Sequence, residues 1–414
     1  MNFKINWKAI ILFLSIIGPG IITANVDNDA GGITTFTIAG ARFGYDILWA
    51  LVPITVLLII AQEMCARMGV VTGKGLADLI RENFGVKWTM LIMIGLIFAN
   101  FATTTAEFAG IAAVAGILGL SKYIVVIGCA LVALGMLVYF NYRKIEKVFL
   151  VMSFFYIAYV FSAFLAKPDW GLAISKTIVP TIHLNSSYIL LLVALIGTNI
   201  TPWMQFFLQG AIVEKGIRLK DYNMSKWDVI IGCIITDVIT FFVIVACAAT
   251  LFKAGIPVNE VSEAALALKP LAGKYASALF AFGFFNAAFF GACIIPISTA
   301  YYVCEGLGFE KGISKKFKEA PQFYVILSSM LLLGAAIILI PNLPLVTLLI
   351  AAQVINGVLI PFILIAILVL INNKKIMGEH VNSRVYNIFA WAGSIAVILV
   401  TLLLIATTIF PNLF

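Results

Sequence analysis

Long apolar runs, separated by short polar segments, cover almost the whole chain. Each run is long enough for a helix of about 20 residues, the length that crosses the hydrocarbon core of a bilayer. A transmembrane barrel would instead show short strands of alternating hydrophobicity. The pattern therefore predicts an all-α polytopic membrane protein with 11 transmembrane helices, at residues 9–38, 47–68, 88–118, 123–142, 146–166, 187–212, 228–252, 275–304, 321–340, 344–371 and 385–410.

The composition and charge agree with a membrane protein. Of the 414 residues, 63% are hydrophobic and 11% are charged, whereas about a quarter of the residues of a soluble protein are charged. So few charges exclude a soluble enzyme. If the N-terminus is cytoplasmic, 20 of the 27 lysines and arginines fall on the cytoplasmic side, as the positive-inside rule requires. We predict an integral protein of the plasma (inner) membrane with its N-terminus in the cytoplasm and its C-terminus outside.

Polar residues interrupt the first and sixth predicted spans near mid-membrane. The first break contains Asp27, Asn28 and Asp29, and the second runs from Gly197 to Gln205 around a proline. Unwound backbone and carboxylates at this depth are tolerated where they line a cavity inside the protein. Paired broken helices indicate a transport site built from inverted repeats. We predict five-helix repeats at 1–166 and 187–371 and an additional helix at 385–410; packing kinks are the alternative interpretation.

Other polar residues lie within the spans or at their ends. Glu107 belongs to a polar stripe that lines an aqueous path or bonds to neighbouring helices. For Asp237 and Asn286 we expect satisfied interhelical hydrogen bonds, and for Glu63 and Arg67 a local ion pair. Residues 75–87 have the spacing of an amphipathic helix on the membrane surface or on neighbouring helices. The sequence shows no nucleophile-and-base pair of an enzyme. It also shows no signal for nucleic acid or for an obligatory protein partner, so the expected partners are an ion and the lipid bilayer.

Several segments resemble the Nramp divalent-metal transporters. Gly18-Pro19-Gly20 and the later Asp29-Ala30-Gly31-Gly32 are similar to that family's first helix, whose motif reads Asp-Pro-Gly-Asn. Residues 62–74, 102–108 and 352–362 resemble its second, third and tenth helices. The resemblance implies the LeuT-type fold and a transported divalent cation, with no other cofactor. Together with the breaks, it gives as candidate metal-site residues Asp29, Gly32, Thr198, Thr201 and Gln353, and as candidates for a secondary site or pathway Asp27, Asn28, Trp203, Glu107, Thr104 and Asn356.

The chain also departs from the Nramp pattern. Gly32 stands where the family has a coordinating asparagine, and Thr201 stands where it has a methionine thioether. Thr104 replaces an aspartate of the family's proton path, while Trp203 and Leu208 occupy the positions of two histidines. These changes resemble the Nramp-related magnesium transporters, and they imply a wider site without proton coupling. Oxygen donors suit Mg²⁺ and Mn²⁺, so we expect a uniporter-like carrier; the alternatives are a proton-coupled Mn²⁺/Fe²⁺ symporter and a sodium-coupled amino-acid symporter.

Overall fold

The computed structural model describes residues 18–140, 144–145, 147–148, 151, 157–259, 261–264, 273 and 276–410. All regular elements within these ranges are helical. The main helices, numbered in chain order, are α1 (Pro19–Asn25), α2 (Ala30–Phe43), α3 (Leu51–Thr72), α4 (Leu76–Ile117), α5 (Lys122–Tyr139), α6 (Ser186–Asn199), α7 (Pro202–Lys215), α8 (Tyr222–Cys247), α9 (Ala276–Leu307), α10 (Pro321–Ile338), α11 (Leu345–Ile371) and α12 (Arg384–Ile409). Further helical pieces are Val26–Asn28, Leu48–Ala50, Ile157–Leu165, Trp170–Ile178, Leu219–Asp221, Ala248–Phe252, Val261–Ala264, Lys374–Met377 and Gly378–His380.

The predicted all-α membrane architecture is confirmed. In the part of the chain that the structure describes, nine helices are long and apolar enough to cross a membrane. The first predicted span begins before the described residues, and part of the fifth, at 146–166, lies in the gaps between them. Outward-facing side chains on these helices are mainly large and apolar, as contact with lipid requires.

The first and sixth predicted spans are both broken, as the sequence indicated. Between α1 and α2 the chain forms a short 3₁₀ turn, Val26–Asn28, and then extends at Asp29. Between α6 and α7, Ile200 and Thr201 leave the helical conformation and Pro202 starts the next helix. Proline suits this first helical position because its missing N–H would have no partner there.

The start of α1 is anchored to α8 by Asp228. This carboxylate accepts hydrogen bonds from the backbone N–H groups of Gly18 at 3.2 Å, Gly20 at 2.7 Å and Ile21 at 3.4 Å. It therefore satisfies helix-end donors that lack partners within α1. The helices also meet closely, since a Cβ atom on Gly232 would lie 2.7 Å from the Gly20 carbonyl oxygen. Asp228 and Gly232 thus fix the first half-helix on α8.

The amphipathic segment at 75–87 packs on neighbouring helices. Leu76, Leu79 and Ile80 are almost completely buried, and Gly85, with a φ of 79°, separates this part of α4 from the transmembrane part. Positive φ values favour glycine because it has no Cβ atom. Lys311 bonds to Asp78 at 2.6 Å and Glu305 at 3.0 Å. Burial lowers the pKa of the Lys311 amine, but these carboxylates outweigh it and raise the pKa above its ordinary value.

The predicted ion pair between Glu63 and Arg67 forms at 3.0 Å and extends into a larger network. Tyr386 of α12 donates to Glu63 at 2.6 Å, and Tyr222 of α8 donates to the other Glu63 oxygen. Arg67 also donates to the His380 carbonyl at 3.1 Å. The network therefore ties the last helix and the start of α8 to the end of α3.

Candidate functional site

The two helix breaks are in direct contact. The Thr198 hydroxyl, in the last turn of α6, donates to the Asp27 carbonyl oxygen in the first break at 3.3 Å. Both residues are buried. Thr201, three residues further on, begins the second half of the other broken helix. The two interruptions predicted separately from the sequence therefore form one polar region inside the protein.

Asp29 lies at the point where α2 begins. Its Oδ1 atom accepts a hydrogen bond from the Gly32 N–H at 2.6 Å and a longer one from Gln353 Nε2 at 3.4 Å. The side chain is only 2% exposed. A carboxylate at a helix N-terminus is stabilised by the unpaired N–H groups and by the helix dipole. The end of α2 therefore favours a negative charge on the Asp29 carboxylate. A negative charge at this position can bind a cation.

Glu107 of α4 reaches the same helix end. Its Oε2 atom accepts from the Ala30 N–H at 3.2 Å, and its carboxyl group interacts directly with that of Asp29. The other oxygen, Oε1, has no protein partner. A Cβ atom on Gly291 would lie 2.6 Å from the Glu107 carboxyl carbon, so the glycine on α9 makes space for this side chain. Glu107 therefore belongs to the centre of the site.

Thr201 and Trp203 supply buried polar groups without protein partners. Thr201 occupies the position before α7, but its hydroxyl makes no capping bond. Within the part of the chain that the structure describes, neither this hydroxyl nor the Trp203 indole N–H has a hydrogen-bond partner, and both side chains are buried. Buried polar groups normally find partners in water or a ligand when the protein supplies none. Thr201 is therefore available to an ion or to its bound water.

The candidate residues Asn356 of α11 and Thr104 of α4 have different surroundings. Asn356 donates to Gln353 Oε1 at 3.3 Å and to the Thr103 hydroxyl at 3.1 Å. These bonds orient the Gln353 amide so that its nitrogen faces Asp29. Thr104, in contrast, packs against α10, where a Cβ atom on Gly334 would lie 3.0 Å from its methyl group. Asn356 thus supports the site, whereas Thr104 lies on another helix contact.

The expectation that Gly32 widens the site needs correction. A Cβ atom there would overlap the Asp27 carbonyl oxygen and lie 2.8 Å from the Thr198 hydroxyl. The space that an asparagine side chain would need is filled by the first break itself and by α6. In this conformation Gly32 therefore allows the first break and α6 to meet.

Two features of the region did not follow from the sequence. Asn28, a candidate for the pathway, donates to the Thr236 hydroxyl at 2.6 Å and accepts from Thr240 at 3.5 Å, which joins the first break to α8. Asp237, for which we expected an interhelical hydrogen bond, lies near the Thr55 hydroxyl of α3, but that hydroxyl donates to the Leu51 carbonyl at 2.7 Å, and in the described part of the chain the Asp237 oxygens have no other partner. The only sequence signal for this region was the presence of an acid in an apolar span.

Because Gly32 lies in a tight contact, we expect Gly32→Ala to destabilise the protein. Overpacking against rigid backbone costs about 1–3 kcal/mol, so the variant should unfold at a lower temperature in detergent. Gly135→Ala is the matched control, since nothing lies within 4 Å of a Cβ atom there. Equal unfolding temperatures for the two variants would contradict the contact between the helix breaks.

Known proteins resemble this chain over nearly its full length. The divalent metal cation transporters MntH of Klebsiella pneumoniae and Bacillus subtilis are 28% and 24% identical to it over 92% and 95% of this chain and 91% and 92% of theirs. A solved Eremococcus coleocola manganese transporter superposes with a TM-score of 0.80 at 21% identity, covering 100% of this chain and 90% of that one.

A more distant structure has the same overall architecture. Mhp1, a nucleobase-cation-symport-1 family transporter, superposes with a TM-score of 0.56 at 13% identity, covering 95% of this chain and 93% of that one. At this identity the similarity concerns the fold alone. The family model described as Natural resistance-associated macrophage protein-like matches residues 20–407. The chain therefore belongs to the Nramp family.

Proposed function

We propose that this protein carries divalent metal cations across the membrane by alternating access, with Mg²⁺ as its main substrate and Mn²⁺ as a second one. The relatives named as divalent metal cation transporters support the class of ion and argue against an enzyme. A sodium-coupled amino-acid symporter is disfavoured, because Asp27 and Asp29 would repel a substrate carboxylate. The ion then binds between the two helix breaks and is released as the half-helices move.

The chemistry of the site supports a hard cation. The central negative charge comes from Asp29, and the unpaired hydroxyl of Thr201 adds an oxygen donor at the second break. Mg²⁺ prefers oxygen ligands, dehydrates reluctantly and usually keeps several of its waters. It therefore needs few direct ligands but polar groups that bond to its waters. Softer transition metals would gain more from a thioether or imidazole ligand.

The observation that carries the proposal is the buried Asp29 carboxylate at the helix break, so its charge should be indispensable. We expect Asp29→Asn to lower Mg²⁺ and Mn²⁺ uptake into proteoliposomes at least tenfold, because the amide cannot balance the ion's charge. Asp169→Asn is a suitable control, since Asp169 caps a short peripheral helix. Unchanged uptake by Asp29→Asn would remove the basis for the site.

The preference for hard cations should depend on Thr201. We expect Thr201→Met to strengthen Cd²⁺ binding at least tenfold, about 1.4 kcal/mol, and to weaken Mg²⁺ transport, because a thioether is a soft ligand. Thr408→Met, on the exposed side of α12, controls for the substitution itself. Isothermal titration measures Cd²⁺ and Mg²⁺ binding, and proteoliposome uptake measures Mg²⁺ transport. If the wild type already prefers Cd²⁺ strongly over Mg²⁺, the hard-cation proposal fails.

We also propose that transport is not coupled to protons. Proton coupling in the family uses titratable groups along a path, and this chain has Thr104 and Trp203 where the resemblance has an aspartate and a histidine. The membrane potential suffices as a driving force, since a divalent ion gains about 4.6 kcal/mol per 100 mV. A pH-sensitive dye inside liposomes should therefore remain silent during Mg²⁺ uptake. Metal-dependent acidification that Glu107→Gln abolishes would instead establish the proton-coupled symporter.

A further inference from the structure

A second pair of carboxylates lies inside the protein beside the proposed transport site. Asp27, in the first break, and Asp237, in the middle of α8, are 1% and 5% exposed. Asn28, next to Asp27 in the chain, donates to the hydroxyl of Thr236, next to Asp237, at 2.6 Å. None of the four carboxylate oxygens of the two aspartates has a hydrogen-bond partner among the described residues. Two buried acids without hydrogen-bond partners therefore flank one hydrogen bond between the first break and α8.

Nothing in the described surroundings neutralises these groups. Asp27 interacts with two other charges, those of Asp237 and Asp29, and both are negative. The Thr55 hydroxyl lies near Asp237, but it donates its proton to the Leu51 carbonyl at 2.7 Å. The interactions given for the described residues thus include no basic side chain at this pair. An uncompensated buried charge is costly, so a species from outside the protein has to balance it.

The neighbouring groups are polar and also incompletely paired. Cys233, one turn before Asp237 on α8, interacts with both carboxylates, and its thiol donates to Gln62 Oε1 at 3.7 Å. The Gln62 amide nitrogen is buried without a partner. Such a group can donate to a water molecule held in the same space. The carboxylate pair therefore lies in a polar region suited to a hydrated ion.

The pair is separate from the groups around Asp29. Asn28, which lies between the two aspartates, is held on α8 by Thr236 and Thr240. Asp29, in contrast, faces Gln353 of α11 and the Glu107 carboxyl group of α4. Across the short 3₁₀ turn, Asp27 therefore lies toward α8, whereas Asp29 lies toward α4 and α11. Asp27 and Asp237 lie on the α1 side of the break, and the Asp29 site lies on the α2 side.

We propose that Asp27 and Asp237 form a second binding site for the transported divalent cation, next to the Asp29 site. Two carboxylates carry the charge that neutralises one divalent ion, and their oxygens are the donors that Mg²⁺ and Mn²⁺ prefer. An ion leaving Asp29 toward the α1 side meets this pair next. The inference rests on the proposed function, because it assigns the same cargo to both sites.

Counting bound ions tests this proposal. The purified full chain is dialysed to equilibrium against saturating Mn²⁺, and the bound metal is measured by atomic absorption. We expect two Mn²⁺ ions per wild-type chain, and one in each of the variants Asp237→Asn, Asp27→Asn and Asp29→Asn. The double variant Asp29→Asn/Asp237→Asn should bind none. Glu305→Gln removes a buried carboxylate that faces Lys311, and this control should keep both ions.

One Mn²⁺ per wild-type chain, lost only in Asp29→Asn, would overturn the second site and leave the proposed function standing. In that case the two acids share a proton instead. Two ions retained in both Asp27→Asn and Asp237→Asn would also overturn it. If Asp237→Asn does not fold, the numbers of Mn²⁺ ions bound by the wild type and by Asp27→Asn still test the second site. Failure of the proposed function has a different signature, namely unchanged proteoliposome uptake by Asp29→Asn.

Discussion

The structure depends on one constraint: a helix end inside a membrane has no water to complete its hydrogen bonds. Each interruption therefore needs polar partners from elsewhere in the chain. Asp228 provides them for the start of α1, and Asp29 and Glu107 provide them for the start of α2. The end of α6 is paired with the first break through Thr198. The same groups that allow the helices to break are thus the groups that create a polar interior.

Using a carboxylate as a helix cap has a further effect. A neutral serine or asparagine would satisfy the same N–H groups, but it would leave the region without charge. Asp29 can combine both roles, since one oxygen accepts a hydrogen bond from the Gly32 N–H and a carboxyl group, unlike serine or asparagine, can also carry a negative charge. Its charge is partly balanced by the N-terminal end of the α2 dipole. The fold itself therefore maintains an anion where the proposed cargo binds.

The sequence predicted the features that depend on local composition. The breaks were visible because Asp27, Asn28 and Asp29 interrupt an apolar run and because Pro202 forces a helix start. Contacts between residues far apart in the sequence could not be predicted from local composition. Asp228 caps Gly20 across 208 residues, and no spacing along the chain encodes that pair. Gly32 was misread for a related reason, since the absence of a side chain does not show whether a neighbour fills the space.

The close contact at Gly32 has a mechanical consequence. With no side chain between them, the backbone of the first break lies directly against Thr198 of the second broken helix. Packed interiors are stiff and rearrange between discrete arrangements instead of deforming gradually. A rotation of α2 about its broken end must therefore displace the end of α6 as well. The two breaks therefore form one mechanical unit, so a displacement of one broken helix reaches the other through direct contact.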